Sequence, residues 1–429
     1  MLFGKPKKAI MIRRFVAVWV FYWVLFVVMP LDSTHGNSLV AFILQLIFVV
    51  LVLSAVVFAR QFAPAITFIT YPNISQIRMQ SRLVAVSIFI SMLGFMLLVY
   101  DKQALQGVDY SEGLANAREQ WRHIGEEREG AASSIYSAIG YLIGSSYFFG
   151  AILLVSRRIY FTDKFRFISS FLIFILTMLN SIITGGRSSI LLLAAFVFSS
   201  YCVNKSGYKR KLFETNIYSL VIVIFIVTAI FYMAYIFSLR SEASDSTIQN
   251  YVEGFLPYLN LEPTATYSYI IEKTGLGSIL SALSLCGAYL THSLVTTALI
   301  IDSNETGGIV IMGHIANLLY KTGLIESVNR DWFLAGRFPS FPGGVYYQMG
   351  LSGVFFIAII LGFCSVFIER LIRKYGNSPM ILICYCATEA ILVLSPLLFA
   401  ADLLSFPFVI TGGVISIIIV KTTGLWKKI

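Results

Sequence analysis

The chain has 429 residues, of which 57% are hydrophobic and only 13% charged, with a mean hydropathy of +0.80. Soluble domains carry roughly 45–50% apolar residues, so an excess of this size has to face lipid, which excludes an ordinary soluble enzyme. A net charge of +10 would suit a nucleic-acid binder only if it formed one patch, and its spread along the chain is different.

Lipid offers no water to satisfy backbone groups, so spanning segments are helices or closed barrels. The apolar runs here are about 17–22 residues long without strict alternation, which reads as helix. The expected fold is an all-α polytopic membrane protein with about ten transmembrane helices. In chain order, Lys5, Lys7, Lys8, Arg13 and Arg14 precede an apolar run at 15–31. No small-x-small cleavage site follows at Met29-Pro30-Leu31-Asp32, so this is read as a retained first span and not a signal peptide. Further spans are expected at 38–59, 83–100, 135–155, 167–184, 188–203, 217–237, 349–369, 379–398 and 404–420. The chain then divides into a seven-helix part at 1–237, a large loop domain at 238–348 and C-terminal spans at 349–429. Within the large loop, 276–301 is apolar enough to cross, but parity then requires 308–325 to cross as well. His314, Asn317 and Lys321 argue against that. Helices at the membrane surface or re-entering it are expected, with twelve spans as the alternative.

Orientation follows from the basic residues, which favour the cytoplasmic side. On the ten-span reading, 22 of the 32 lysines and arginines fall in the N-terminus, 60–82, 156–166, 204–216, 370–378 and the C-terminus. Both termini are therefore expected in the cytoplasm, and the excess charge meets anionic lipid heads, not nucleic acid. The segments 101–134 and 238–348 are expected on the outer side. The first mixes both charge signs and reads as a solvated cap; the second is long enough to carry function.

No nucleotide-binding loop, zinc spacing or serine-hydrolase elbow is present, and no metal or cofactor is expected. The candidate chemistry lies in polar residues at the outer ends of helices. Thr184-Gly185-Gly186-Arg187-Ser188-Ser189 forms a turn whose following helix presents N-terminal amides to an anion. Arg187 adds a planar cation suited to phosphate oxygens. Arg240 sits at the outer end of the seventh span, and Arg337 in the Gly/Pro-rich run Ala335 to Gly344. His292 and His314 are candidate bases near neutral pH, although a packing role explains each as well. Glu262, in a turn among aromatics, is a carboxylate that desolvation can convert to a base. Glu389 lies inside the ninth span, where an acid is a functional hypothesis by default and a hydrogen bond to a neighbouring helix is the simpler account.

The mid-chain Gly-Gly-Arg-Ser turn, the large outer loop and the stretch from Phe338 to Val354, whose aromatics lead into Gly350-Leu-Ser-Gly353, together resemble the O-antigen and oligosaccharide repeat-unit polymerases (Wzy-type). The resemblance is architectural over most of the chain and local over about 25 residues. It implies a glycosyltransferase of the bacterial inner membrane, acting at the periplasmic face. A growing glycan on undecaprenyl diphosphate would be the donor and a single lipid-linked repeat unit the acceptor, with undecaprenyl diphosphate released. It further implies that Arg187, Arg240 and Arg337, with Gly186 and Ser188, bind the diphosphate, and that His292 or Glu262 takes the acceptor proton. A chain-length regulator and a flippase would be partners. The O-antigen ligases share this architecture and stand as an alternative. A lipid-linked oligosaccharide transporter is the alternative of another class, which scarce intramembrane charge disfavours.

Overall fold

The computed structural model describes residues 10–34, 37–62, 74–111, 113, 117, 120, 134–157, 161–184, 188–205, 248–274, 277–303, 307, 337–375, 378–400, 403 and 406–423. They are overwhelmingly helical, with one two-stranded ribbon. The chain groups into two compact units that interleave in sequence. Unit 1 takes 1–71, 254–313 and 328–402, and unit 2 takes 72–253, 314–327 and 403–429.

Six helical stretches among the described residues are long and apolar enough to cross a membrane: Met11–Val28, Ser38–Phe62, Arg78–Leu105, Ile135–Ser156, Asp163–Ile183 and Phe341–Tyr375. Ser189–Val203, Pro379–Leu394 and Phe406–Thr422 are apolar but shorter. The expected span at 217–237 lies outside the described residues. The protein is thus a helical membrane protein, and its surface shows why. Along Ser38–Phe62, Ile43, Val50 and Val57 recur every seven residues and are each 45% exposed or more, while Leu44, Phe48, Val52 and Ala55 are buried. An exposed aliphatic stripe down a helix of this length is stable only against hydrocarbon.

Unit 1 contains α1 (Ile10–Val28), α2 (Ser38–Phe62), α9 (Ala265–Thr274), α10 (Gly277–Ser303), α11 (Phe341–Tyr375) and α12 (Pro379–Leu394), preceded by the last turn of α8 (Ile248–Tyr258). Strand β1 (Leu31–Ser33) pairs antiparallel with β2 (Leu261–Pro263), placing Asp32 opposite Glu262. Because α1 and α2 are consecutive, Val28 and Ser38 mark one end of the unit, the hairpin end. At the other end, Arg370 donates to the Arg60 carbonyl at 3.4 Å. Deep between the two, Arg14 of α1 and Glu389 of α12 form an ion pair, and the Tyr385 hydroxyl accepts a second bond from Arg14 at 3.0 Å. The acid anticipated as a hydrogen-bonded core residue is therefore paired with a cation that the sequence reading left in the N-terminal tail.

Helix α10 runs across the hairpin end. Its Gly287 packs on Met29, where α1 finishes. The carbonyl of Thr291 and the hydroxyl of Ser293 bond Tyr22, about two turns deeper, and Asp302 accepts from Asn37 where α2 begins. A helix threaded from one end of the unit to the other would not return to the hairpin end after fifteen residues, a rise of about 22 Å. Every residue from Thr291 to Ala298 is buried, so over this stretch α10 is packed on all sides and presents no face to a membrane surface. The polar groups it buries are bonded in sequence: Ser293 to the Pro396 carbonyl at 2.6 Å, and Thr297 to the Ser340 hydroxyl at 2.9 Å. Helix α11 is broken at Gly350, whose φ of 65° and ψ of −166° are left-handed-side backbone open to glycine. Its first turn packs within the unit, the Phe341 ring 5.7 Å from that of Phe48 in α2, and the helix continues past the break to Tyr375.

Unit 2 contains α3 (Ile74–Tyr100), α4 (Ile135–Gly144), α5 (Ser146–Ser156), α6 (Asp163–Thr184), α7 (Ser188–Lys205) and α13 (Phe406–Thr422). Helix α4 starts on a serine cap, Ser134 Oγ accepting from the amides of Tyr136 and Ser137. Helices α3 and α4 approach through glycine: a Cβ on Gly94 would sit 2.6 Å from the Gly144 nitrogen. This is the small-residue contact that lets helix backbones close up in lipid, where no hydrophobic force drives them together.

Candidate functional site

Each unit contributes one set of groups. In unit 1 the set lies at the hairpin end. Helix α8 stops at Tyr258, the chain turns at Asn260 (φ 55°), and β2 carries Glu262 beside it. The guanidinium of Arg337 lies over the Tyr258 ring, 4.7 Å from its centroid, and among the described residues no carboxylate pairs with it. Phe255 stacks on Tyr289 of α10 at 5.5 Å, and His292 meets Tyr289 and Phe338 edge-on at 6.0 and 6.4 Å. Tyr258 and Phe338 are 43% and 41% exposed. The result is an accessible cation framed by aromatic rings, which can take an anionic group with an apolar or sugar face against it.

His292 occupies this site differently from the way a free base would. It is 3% exposed. Its Nδ1 lies 3.2 and 3.0 Å from the carbonyls of Ala288 and Tyr289, so Nδ1 carries the proton, and Nε2 accepts the Phe338 amide at 3.3 Å. Both ring nitrogens thus tie α10 to the strand of chain bearing Arg337. Glu262 is exposed, and a substrate can reach it without displacing either of those bonds. Asp32 faces it across the ribbon, a second carboxylate that the sequence reading did not single out because the two are 230 positions apart.

In unit 2 the described polar groups of interest lie near the end of α6. Gly186, Arg187 and Arg240 lie outside the described residues, as does His314, and Ser188 is described only as the first residue of α7. Around that turn, Asn180 donates to the Tyr147 hydroxyl at 3.2 Å. Asp101 and Lys102, which open the segment expected as a solvated cap, are buried, and the Lys102 ammonium donates to the Ile183 carbonyl. Lys102, in the first expected outer segment, therefore meets Ile183 in the last turn of α6. Among the described residues no group of three potential metal ligands occurs together. No family model, curated protein or solved structure matches the chain.

Proposed function

We propose that the protein polymerises lipid-diphosphate-linked oligosaccharide repeat units at the outer face of the bacterial inner membrane, as a Wzy-type glycosyltransferase with about ten spans and both termini in the cytoplasm. The observation that carries this reading is Arg337 stacked on Tyr258 within an exposed aromatic cluster at the end of a transmembrane unit. A lipid diphosphate presents an anion at the height of the headgroups with a sugar attached, and this cluster offers a cation and ring faces at the end of an apolar body. The hairpin end, opposite Arg60 and Arg370, is taken as periplasmic by the positive-inside bias.

In the proposed reaction a hydroxyl of the acceptor repeat unit attacks the anomeric carbon of the donor glycan. The new glycosidic bond forms as the bond to undecaprenyl diphosphate breaks, and the leaving diphosphate carries away the electron pair. Arg337 stabilises the charge that develops on it, the role fixed cations play wherever a phosphate departs. Glu262 is the preferred acceptor of the hydroxyl proton, because His292 already spends both nitrogens on backbone groups. The reading uses no nucleotide.

Deleting the gene in its source bacterium tests this. Surface lipopolysaccharide should collapse from a ladder to core plus one repeat unit, and Arg337→Ala should fail to restore the ladder while inserting normally. Core without any repeat unit would indicate a ligase or flippase instead, and an unchanged ladder would remove the proposal.

A further inference from the structure

We infer that the end of unit 1 opposite the hairpin holds one anionic phospholipid, its phosphate among Arg60, Arg370 and Arg373 and an acyl chain along α2, at a site independent of the polymerase reading. Packing of two helices brings the cations together. Phe58 of α2 meets Phe363 of α11 edge-on, 6.0 Å between ring centroids. About two turns beyond Phe363, Arg370 donates to the Arg60 carbonyl at 3.4 Å. Arg60 and Arg373 both act on Arg370 as like charges. Glu369 pairs with Arg373 at 3.1 Å, so three guanidinium groups meet one carboxylate in this set of side chains. The sequence offers little else to balance them: no Asp or Glu occurs between Asp32 and Asp101, and the next acid after Glu369 is Glu389, which pairs with Arg14. An anion seated among like charges relieves their repulsion, and the planar guanidinium fork matches phosphate oxygens.

Beside these cations lies an apolar groove of about 440 Å³, lined by Val50, Leu53, Ser54, Val57, Phe58 and Gln61 of α2. From Val50 to Gln61 the helix rises about 16 Å, close to half of the roughly 30 Å hydrocarbon core. The groove is therefore as long as one leaflet is deep, and it finishes next to Arg60, at the height where a headgroup begins. Val50, Val57 and Phe58 are all exposed, so a lipid chain reaches the groove sideways from the membrane without any helix moving. With the chain seated, the phosphate comes within reach of the guanidinium groups, and the exposed Gln61 amide can donate to its ester oxygens. A second apolar helix could cover the groove but would leave the cations at its end unmatched. A phospholipid with a net negative headgroup satisfies both parts, which a neutral one does not.

The test is native mass spectrometry of the delipidated full-length protein in detergent, titrated separately with dioleoylphosphatidylglycerol and dioleoylphosphatidylcholine. The two lipids share their acyl chains and differ in net charge. Wild type should bind one phosphatidylglycerol about tenfold more tightly than phosphatidylcholine. Arg60→Gln and Arg370→Gln should each weaken phosphatidylglycerol about fivefold, the share of one cation beside an anionic headgroup. Should Arg370→Gln fail to fold, because it also braces the end of α2, Arg60→Gln carries the comparison. Lys273→Gln removes a cation elsewhere in unit 1, in α9, and should leave both affinities unchanged. Val57→Trp fills the groove with every cation in place and should weaken phosphatidylglycerol about threefold. Equal wild-type affinity for the two lipids, or the same loss in Lys273→Gln as in the arginine variants, would overturn the site. Wild-type affinity in Val57→Trp would overturn the seat for the chain. A lipid-free dimer that Val57→Trp abolishes would give this face to a second copy and overturn the lipid.

Discussion

The pair formed by Arg14 and Glu389 is the sharpest structural commitment in unit 1, and its removal has a calculable effect. The Glu389 side chain is fully buried and that of Arg14 is 16% exposed. Replacing Glu389 with Gln leaves the guanidinium in a protein interior without its buried counter-ion. Breaking a buried pair from one side costs about 3–5 kcal/mol, which is a shift of roughly two to four decades in the folding equilibrium and a large share of an ordinary protein's stability. Removing both charges is different. Arg14→Met with Glu389→Leu replaces two desolvated ions with apolar groups, and Tyr385→Phe removes the hydroxyl that would be left unpaired. That triple variant should lie within about 1 kcal/mol of wild type, or above it. The assay is reversible denaturant unfolding in mixed micelles, with the singles and the combined variant measured as a cycle. Single variants within about 1 kcal/mol of wild type, or strictly additive losses, would refute the buried pair as placed here.

Two further outcomes follow from the packing. His292→Ala orphans the Phe338 amide and should lower stability by about 1–3 kcal/mol, while the folded fraction keeps transfer activity within about threefold. A general base contributes roughly 10²–10⁴-fold, so a loss of that size at unchanged stability would return His292 to acid–base chemistry. Gly94→Val drives a side chain into the Gly144 backbone and should cost about 1–3 kcal/mol in thermal unfolding. Gly254→Ala, where a Cβ meets nothing within 4 Å, should be neutral or mildly stabilising. Equal behaviour of the two variants would contradict the close α3–α4 contact.

The helices were legible from the sequence because their cause is local. A run of apolar residues of membrane length has one low-energy solution in lipid, and α1, α2, α4 with α5, and α6 fall on expected runs, whereas α7, α12 and α13 are apolar but shorter. The break in α11 was not read, although Gly350 stood in the stretch singled out for resemblance, since a glycine inside an apolar run says nothing of its φ until its neighbours hold it. The Gly140–Gly144 spacing was likewise visible, but its use depends on Gly94 lying opposite.

The candidate site was legible only as a set of residue types. Arg337, His292 and Glu262 could each be named from polarity and position, but their roles come from contacts between segments far apart in sequence, Tyr258 among them. Tyr258 and Arg337 are joined by a cation–ring contact across 79 positions, Asp32 faces Glu262 through a two-strand ribbon, and Lys102 finds Ile183 across 81. Hydropathy and charge bias act residue by residue along the chain, so by themselves they determined that this is a helical membrane protein and which segments lie at helix ends. Which of those ends meet, which charges are buried and paired, and which histidine is spent on backbone hydrogen bonds are properties of packed neighbours, and only the tertiary structure decides them.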